Sequence, residues 1–179
     1  MEILLFRHGE AIENAPGLGD QGRWLTTKGR RNSQKVAAWL NKRATRRPVT
    51  VWTSALVRAV QTAEILAATL ELEDEVVVQP DLAPNGDPAE LLRLVREFRG
   101  QGPLALVGHE PSLSLLARRL LGEVPWPGLK KSGVAAITVG PGKTLEDPLE
   151  ATFRFLLKPK TMEVAHSLEP LPTEVSPAD

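Results

Sequence analysis

The 179-residue chain contains no cysteine and only three histidines. Without cysteine it forms no disulfide, binds no metal through thiolates and has no cysteine nucleophile. Because His8, His109 and His166 are its only histidines, a metal site made of several histidines is difficult to assemble. We therefore expect a protein that works without a metal ion and without any other cofactor.

The chain also lacks an excess of charge and a long apolar segment. Its 22 lysines and arginines balance 22 aspartates and glutamates, so it has no general attraction for nucleic acid or for an anionic membrane surface. No apolar run reaches the length of a bilayer span, and the first residues do not resemble a secretory leader. These absences predict a cytoplasmic protein with neither nucleic acid nor membrane as a partner.

The most informative stretch that is present is the N-terminal one. Four apolar residues, Ile3 to Phe6, run directly into Arg7, His8 and Gly9. A continuous short apolar run is typical of a strand buried on both faces of a parallel sheet. Open α/β sheets bind their ligands at the carboxyl ends of such strands. We therefore predict a site at Arg7 and His8, where Gly9 allows a sharp turn or a close approach to a ligand.

Strand-like and helix-like segments alternate along most of the chain. Thr26 is the predicted N-cap of the first helix, and Ser54 that of the second. The alternation predicts an α/β fold, a three-layer α/β/α sandwich with a largely parallel central sheet, in which one of the last two strands is an antiparallel edge strand. The predicted strands are 3–6, 49–53, 76–78, 103–107, 133–139 and 151–157, with helices between the first five.

The length predicts a single domain over residues 1–160. Residues 161–179 form a separate C-terminal segment, and the part from Leu168 onward, rich in proline and acidic residues, is predicted to be a flexible tail.

The fourth predicted strand ends in the same way as the first. It runs into Gly108 and His109, and right-handed crossovers bring the carboxyl ends of both strands to one sheet edge. Arg58 lies in the first turn of the second helix, at the same kind of junction. Two arginines and two histidines at one edge favour a small, doubly charged oxyanion such as phosphate. A histidine in that setting can act as a nucleophile toward phosphorus. Taken singly, a histidine after a buried strand is more often structural, and Arg7 would more often be a surface or ion-pair arginine.

Four stretches, in this order, resemble motifs of the histidine phosphatase superfamily, which includes the cofactor-dependent phosphoglycerate mutases. Arg7-His8-Gly9-Glu10 is similar to the RHG motif, and Leu25-Thr26-x-x-Gly29 to the LTxxG helix start. Ser54 to Ala63 is similar to the SxLxRAxQTA segment, and Val107-Gly108-His109 to the strand end that carries the second histidine. The resemblance implies a phosphoglycerate-mutase-like fold.

For the individual residues, the resemblance implies that His8 is the phosphorylated nucleophile. Arg7, Arg58 and His109 would complete the phosphate pocket, with Asn14 as a further phosphate contact. It also implies a phosphorylated substrate, with phosphate or another oxyanion as the bound group.

The chain departs from larger members of the superfamily in its general acid. Those members protonate the leaving oxygen with a carboxylate from an inserted segment, for which this chain offers only Asp81 or Asp87. In this respect, in its compact length and in its Gly108 to Pro111 step, it is most similar to the small bacterial phosphohistidine phosphatases. That similarity implies a metal-independent phosphatase acting on protein phosphohistidine, whose imidazole leaving group needs less protonation than an alkoxide.

Other functions stay open at this stage. The main alternative is a phosphatase for small phosphate esters, such as a sugar phosphate or a nucleotide-related compound. A mutase is disfavoured because no second basic cluster is present to hold a second phosphate. A phosphate-binding protein without catalytic activity, and a metal-dependent hydrolase, are the hypotheses from other classes.

Overall fold

The computed structural model describes residues 1–72, 76–140 and 150–168. Within these residues the chain forms one seven-stranded sheet and four α-helices. The strands are β1 (Glu2–Arg7), β2 (Thr50–Thr53), β3 (Val76–Val78), β4 (Leu104–Gly108), β5 (Val134–Val139), β6 (Ala151–Lys158) and β7 (Glu163–Ala165). The helices are α1 (Thr27–Asn41), α2 (Val57–Thr69), α3 (Pro88–Glu97) and α4 (Ser112–Leu121), and short 3-10 turns cover Ala44–Arg46 and Pro80–Leu82.

The strand order is β3-β2-β4-β1-β5-β6-β7. The first four strands in this order are parallel, and β5, β6 and β7 continue the sheet as antiparallel strands. The predicted α/β class is therefore confirmed, and the antiparallel part is larger than the single edge strand that we expected. The extra strand β7 has three residues, none of them buried, so its sequence carries too little periodicity to be recognised.

Helices cover both faces of the sheet, as the continuous apolar pattern of β1 requires. Ile3 and Leu5 point to one face, where they join a core formed with α3 and α4. Leu4 and Phe6 point to the other face, where they join a core formed with α1 and α2. All four side chains are fully buried. Because successive side chains of a strand point to opposite faces of the sheet, this one segment contributes to both cores.

The pairing of β1 with β4 decides where the functional residues meet. The two strands are parallel, and Arg7 lies opposite Gly108. The residue after each partner is a histidine, and the His8 amide continues the ladder by donating to the Gly108 carbonyl at 3.0 Å. Because the register is parallel, His8 and His109 leave the sheet side by side.

One of the two predicted helix caps is present. The hydroxyl of Thr26 accepts a hydrogen bond from the Gly29 amide at 3.0 Å and caps α1. The prediction for Ser54 is wrong: α2 begins after Leu56 and has no side-chain cap. The Ser54 hydroxyl forms its short hydrogen bond with His109 instead.

The sheet continues past residue 160, because β7 pairs with β6. The predicted flexible tail falls almost entirely on residues 169–179, which lie outside the described residues. In the part of the chain that the structure describes, no helix has both the length and the apolarity needed to cross a membrane.

Candidate active site

Two buried histidine rings form the centre of the site. The ring centroids of His8 and His109 lie 4.8 Å apart, and the ring planes are tilted by 50°. His8 is 8% exposed and His109 is 2% exposed. Each follows a strand, and the two strands are adjacent in the sheet. The structure therefore brings together His8 and His109, the two histidines that follow predicted buried strands.

The His8 ring is held in one tautomer. Its Nδ1 lies 2.7 Å from the carbonyl oxygen of Gly9. A carbonyl oxygen only accepts hydrogen bonds, so Nδ1 must carry the proton that it donates. When the ring is neutral, Nε2 therefore carries the lone pair. The backbone thus leaves one nucleophilic nitrogen on His8.

The His109 ring is held through its other nitrogen. Its Nε2 lies 2.6 Å from the Ser54 hydroxyl, which accepts a long hydrogen bond of 3.4 Å from the Leu56 amide. The hydroxyl hydrogen has no other acceptor among the described residues, so the Ser54 hydroxyl donates to Nε2 and Nδ1 carries the ring proton. That Nδ1 is buried and has no hydrogen-bond partner among the described residues. His109 consequently presents an unpaired donor.

Burial keeps both rings neutral at neutral pH. The pKa of His8 is lowered to about 4, chiefly by burial and then by the positive charges of Arg58, Arg7 and Lys131. The pKa of His109 is lowered to about 3, chiefly by burial and then by His8 and Arg58. A neutral His8 is the form in which a histidine attacks an electrophile.

Arg7 lies on the inner side of the pocket. Its Nη1 donates to the carbonyl oxygen of Leu129 at 2.7 Å. Its Nε is buried and has no hydrogen-bond partner among the described residues. A guanidinium always keeps its protons, so this N–H is a donor that still requires an acceptor. An oxyanion would supply one.

Arg58 lies in the first turn of α2 and is 5% exposed. Its Nη2 donates to the Asp20 carboxylate at 2.9 Å, and its Nη1 donates to the Asp20 carbonyl oxygen at 2.7 Å. Sequence analysis did not single out Asp20. The signal for it was indirect, because residues 11–24, called the mouth loop below, follow the predicted site directly along the chain.

The motif residues of α2 fasten two other segments to the site. The Gln61 side chain accepts from the Leu25 amide at 2.8 Å, and the Thr62 hydroxyl accepts from the Gly9 amide at 3.0 Å. Gly9 is needed for close packing, since a Cβ there would lie 2.9 Å from the Ser33 hydroxyl. Gly9 therefore packs closely against α1. The hydrogen bond from its amide to Thr62 fastens the loop that carries His8 to α2.

Three further predicted residues are not drawn into this cluster. Asn14 is exposed, and its side chain makes no hydrogen bond within the described residues. Asp81 accepts a hydrogen bond from the Asp87 amide at 3.0 Å, and Asp87 caps α3 by accepting from the Ala89 amide at 2.8 Å. Asp81, which is half-buried, and Asp87, which is exposed, therefore have local structural contacts, and their role as general acids stays a prediction.

Two other features complete the description of the site. Lys131, which the sequence analysis did not select, is exposed and lies close enough to lower the pKa of His8 through its charge. Across residues 1–72, 76–140 and 150–168, no three histidine or acidic side chains are grouped in a way that would hold a metal ion.

Comparison with known proteins adds independent information. The model of the histidine phosphatase superfamily (branch 1) matches residues 3–83. An uncharacterized protein of Picosynechococcus sp. is 37% identical over 144 residues, which is 78% of this chain and 86% of that protein. Phosphohistidine phosphatase SixA of Escherichia coli is 28% identical over 171 residues, which is 94% of this chain and the whole of that protein.

A solved structure supports the same relationship. The structure of the protein histidine phosphatase SixA complexed with tungstate matches this fold with a TM-score of 0.80 at 28% identity. The match covers 91% of this chain and all of that one. The resemblance therefore extends well past the 3–83 segment and includes β4, which carries the second histidine.

Proposed function

The chain belongs to the histidine phosphatase superfamily, and from that premise we propose that it is a metal-independent phosphatase that removes phosphate from protein phosphohistidine through a phosphorylated His8. The observation that carries this proposal is the state of His8: its Nδ1–H is held by the Gly9 carbonyl at 2.7 Å, which leaves the Nε2 lone pair in a pocket with two arginines and a second histidine.

The first step is attack by Nε2 of His8 on phosphorus. The new P–N bond forms at His8, the P–N bond of the substrate breaks, and its electron pair moves to the leaving ring nitrogen. In the second step water attacks phosphorus, the electron pair returns to Nε2, and the water proton leaves with phosphate or solvent. Nδ1–H stays bonded to Gly9 in both steps, so His8 needs no proton from elsewhere.

The transferring phosphoryl group spreads negative charge over its oxygens, and the surrounding donors are those that stabilise such charge. Arg7 offers its buried Nε–H, and His109 offers its buried Nδ1–H. Arg58 adds a guanidinium that already holds a carboxylate. A bound oxyanion would also favour protonation of the histidines, opposing the effect of burial on their pKa.

Two observations support phosphohistidine over a small phosphate ester. A relative that matches 94% of this chain is named a phosphohistidine phosphatase, and a solved structure that matches this fold is that of the protein histidine phosphatase SixA. In addition, an alkoxide leaving group requires a strong proton donor, whereas Asp81 and Asp87 are engaged in a turn and a helix cap. A protonated phosphohistidine ring leaves as neutral imidazole and does not need that donor.

The test measures hydrolysis of a phosphohistidine peptide and of para-nitrophenyl phosphate, with chelator present, for the wild type, His8→Asn and His166→Asn. His166 is an exposed histidine bonded to the Arg154 carbonyl, so it controls for the substitution itself. We expect His8→Asn to lose at least about a thousandfold in kcat/KM, because the covalent route is removed. His166→Asn should match the wild type. Rapid quench of the wild type should trap phosphate on His8.

Other outcomes would redirect the proposal. Undiminished turnover by His8→Asn would contradict the mechanism, and loss of wild-type activity in chelator would indicate a metal-dependent hydrolase. Fast turnover of para-nitrophenyl phosphate with slow turnover of the peptide would keep the mechanism and favour small esters. Tight phosphate binding without a trapped phosphoenzyme would indicate a binding protein.

A further inference from the structure

Asp20 joins the buried pocket to the protein surface. Its carboxylate meets Arg58 at 2.9 Å through Oδ2 and Arg23 at 2.8 Å through Oδ1. The Arg58 side chain is 6% exposed, whereas that of Asp20 is 58% exposed. An exposed carboxylate, paired with two guanidiniums, therefore lies where the buried Arg58 approaches the surface.

This carboxylate is ionised and is held in two ways. Hydrogen bonds from Arg23 and Arg58 lower the pKa of Asp20, so at neutral pH it has no proton to give to a leaving group. Arg23 is itself anchored, because its Nε donates to the Ile12 carbonyl oxygen at 2.6 Å. When a phosphoryl group engages Arg58, Arg23 still holds the carboxylate at the opening.

Asp20 lies close enough to the buried histidines for its charge to raise the pKa of His109, against the larger effect of burial. Phosphoryl transfer places the attacking and leaving atoms roughly in line. With His8 buried in the interior, the leaving group of a protein substrate must extend toward solvent, and Asp20 is the solvent-exposed partner of the buried Arg58. Asp20 is therefore the exposed acceptor available to such a leaving group.

We propose that Asp20 determines specificity by accepting a hydrogen bond from the distal ring N–H of a phosphohistidine leaving group and by repelling leaving groups that carry negative charge. The inference rests on the proposed function and names a selecting residue for that substrate. As the P–N bond breaks, its electron pair neutralises the cationic ring. The distal proton stays on its nitrogen, bonded to Asp20, so no proton transfer is required.

The chemical reason is the charge of the reactive substrate. A phosphohistidine ring protonated at its distal nitrogen is the better leaving form, and a carboxylate beside that N–H stabilises it by a charge-assisted hydrogen bond. The same carboxylate opposes an ester whose remainder is anionic, because like charges at short range repel. An aryl ester whose organic remainder is uncharged and has no ring N–H neither gains that hydrogen bond nor meets that repulsion.

The experiment compares kcat/KM for a phosphohistidine peptide, para-nitrophenyl phosphate and phosphoglycolate in Asp20→Asn, Asp20→Glu and Glu64→Gln. Glu64 is an exposed carboxylate on α2, the helix that carries Arg58, and its variant should behave as the wild type. Asp20→Asn should lose at least about tenfold on the peptide, the size of one charge-assisted hydrogen bond. The loss of kcat/KM on the aryl ester should be several-fold smaller than the loss on the peptide, and kcat/KM on phosphoglycolate should rise relative to both. Asp20→Glu should recover part of the peptide activity.

The outcomes separate this inference from the proposed function. If Asp20 merely positions Arg58, Asp20→Asn will lower all three activities in proportion and weaken inhibition by vanadate, which overturns the inference. Faster peptide turnover by Asp20→Asn also overturns it, because the carboxylate would then be a competitor of substrate. A wild type that does not cleave the peptide overturns the proposed substrate itself, whereas an unchanged substrate ratio in Asp20→Asn overturns the inference alone.

Discussion

The inner wall of the pocket and its mouth are built differently. The inner wall, formed by Arg7, His8, Ser54 and His109, stands at the ends of sheet strands and is mostly buried. The mouth loop, residues 11–24, carries Asp20 and Arg23, which pair with each other, and the ion pair between Asp20 and Arg58 connects the loop to the pocket. Groups on rigid strands suit a reaction common to every phosphorylated substrate. Groups on an exposed loop suit the choice among substrates.

Among the variants that compare the two regions, the largest expected effect is that of Arg7→Gln. Arg7→Gln should lower kcat/KM about a hundredfold on phosphohistidine and para-nitrophenyl phosphate alike, because it removes the buried guanidinium that we propose as a donor to the phosphoryl oxygens. Arg23→Gln, at the mouth, should leave the aryl ester within about threefold of the wild type, since Arg23 contacts Asp20 and the Ile12 carbonyl. Steady-state kinetics of both variants on both substrates measure this, with thermal unfolding as a control for folding. Equal losses of kcat/KM on the aryl ester in the two variants would contradict a division of roles between the inner wall and the mouth.

The second effect concerns the burial of the inner wall. The pKa of His8 is lowered to about 4 and that of His109 to about 3, against an ordinary value of 6.5. Between these values the unfolded chain binds more protons than the folded one, so the free energy of unfolding falls as the pH falls below 6.5. As the pH falls from 7 to 5, each histidine should lower the free energy of unfolding by about 2 kcal/mol.

Urea denaturation of the wild type and of His109→Gln at these two pH values measures that loss. The variant lacks one titrating ring, so its stability should fall less by about 2 kcal/mol. The difference between the two proteins cancels the contributions of carboxyl groups, which both share. Parallel pH dependence in the two proteins would mean that His109 is not held neutral by the fold.

The smallest effect tests the support of the inner wall. Ser54→Ala removes the 2.6 Å partner of His109 Nε2 and should lower kcat about tenfold, because the tautomer that presents Nδ1–H is no longer fixed. Ser112→Ala is a matched loss of a hydroxyl, one that bonds the carbonyls of Ala83 and Pro84. If both variants lower kcat equally, the role of Ser54 is one of general packing.

Much of the inner wall was predictable because local pattern and chain topology determine it together. The apolar runs before Arg7 and before Gly108 predict buried strands, and both are present as β1 and β4. Right-handed crossovers predict that the two strand ends share an edge, and the rings of His8 and His109 lie 4.8 Å apart. The capping prediction for Thr26 holds for the same reason, since a cap depends on residues a few positions away.

The mouth was not predictable because its contacts join residues distant in sequence. Asp20 and Arg58 are separated by 38 positions, and neither strand period nor helix period relates them. Ser54 was predicted to cap α2, yet its hydroxyl bonds His109, 55 positions away. In both cases the polar side chain has a local contact, with Arg23 or with the Leu56 amide, and the folded chain adds a buried distant partner.

The sequence by itself determined that this chain places histidines and arginines after buried parallel strands, because periodicity and chirality act over short stretches and admit few topologies. The tertiary structure alone decided which nitrogen of each histidine is free and which acid faces Arg58. Those choices depend on hydrogen-bond partners such as the Gly9 carbonyl, the Ser54 hydroxyl and Asp20. Such partners become defined when burial forces each polar group to find an acceptor or a donor.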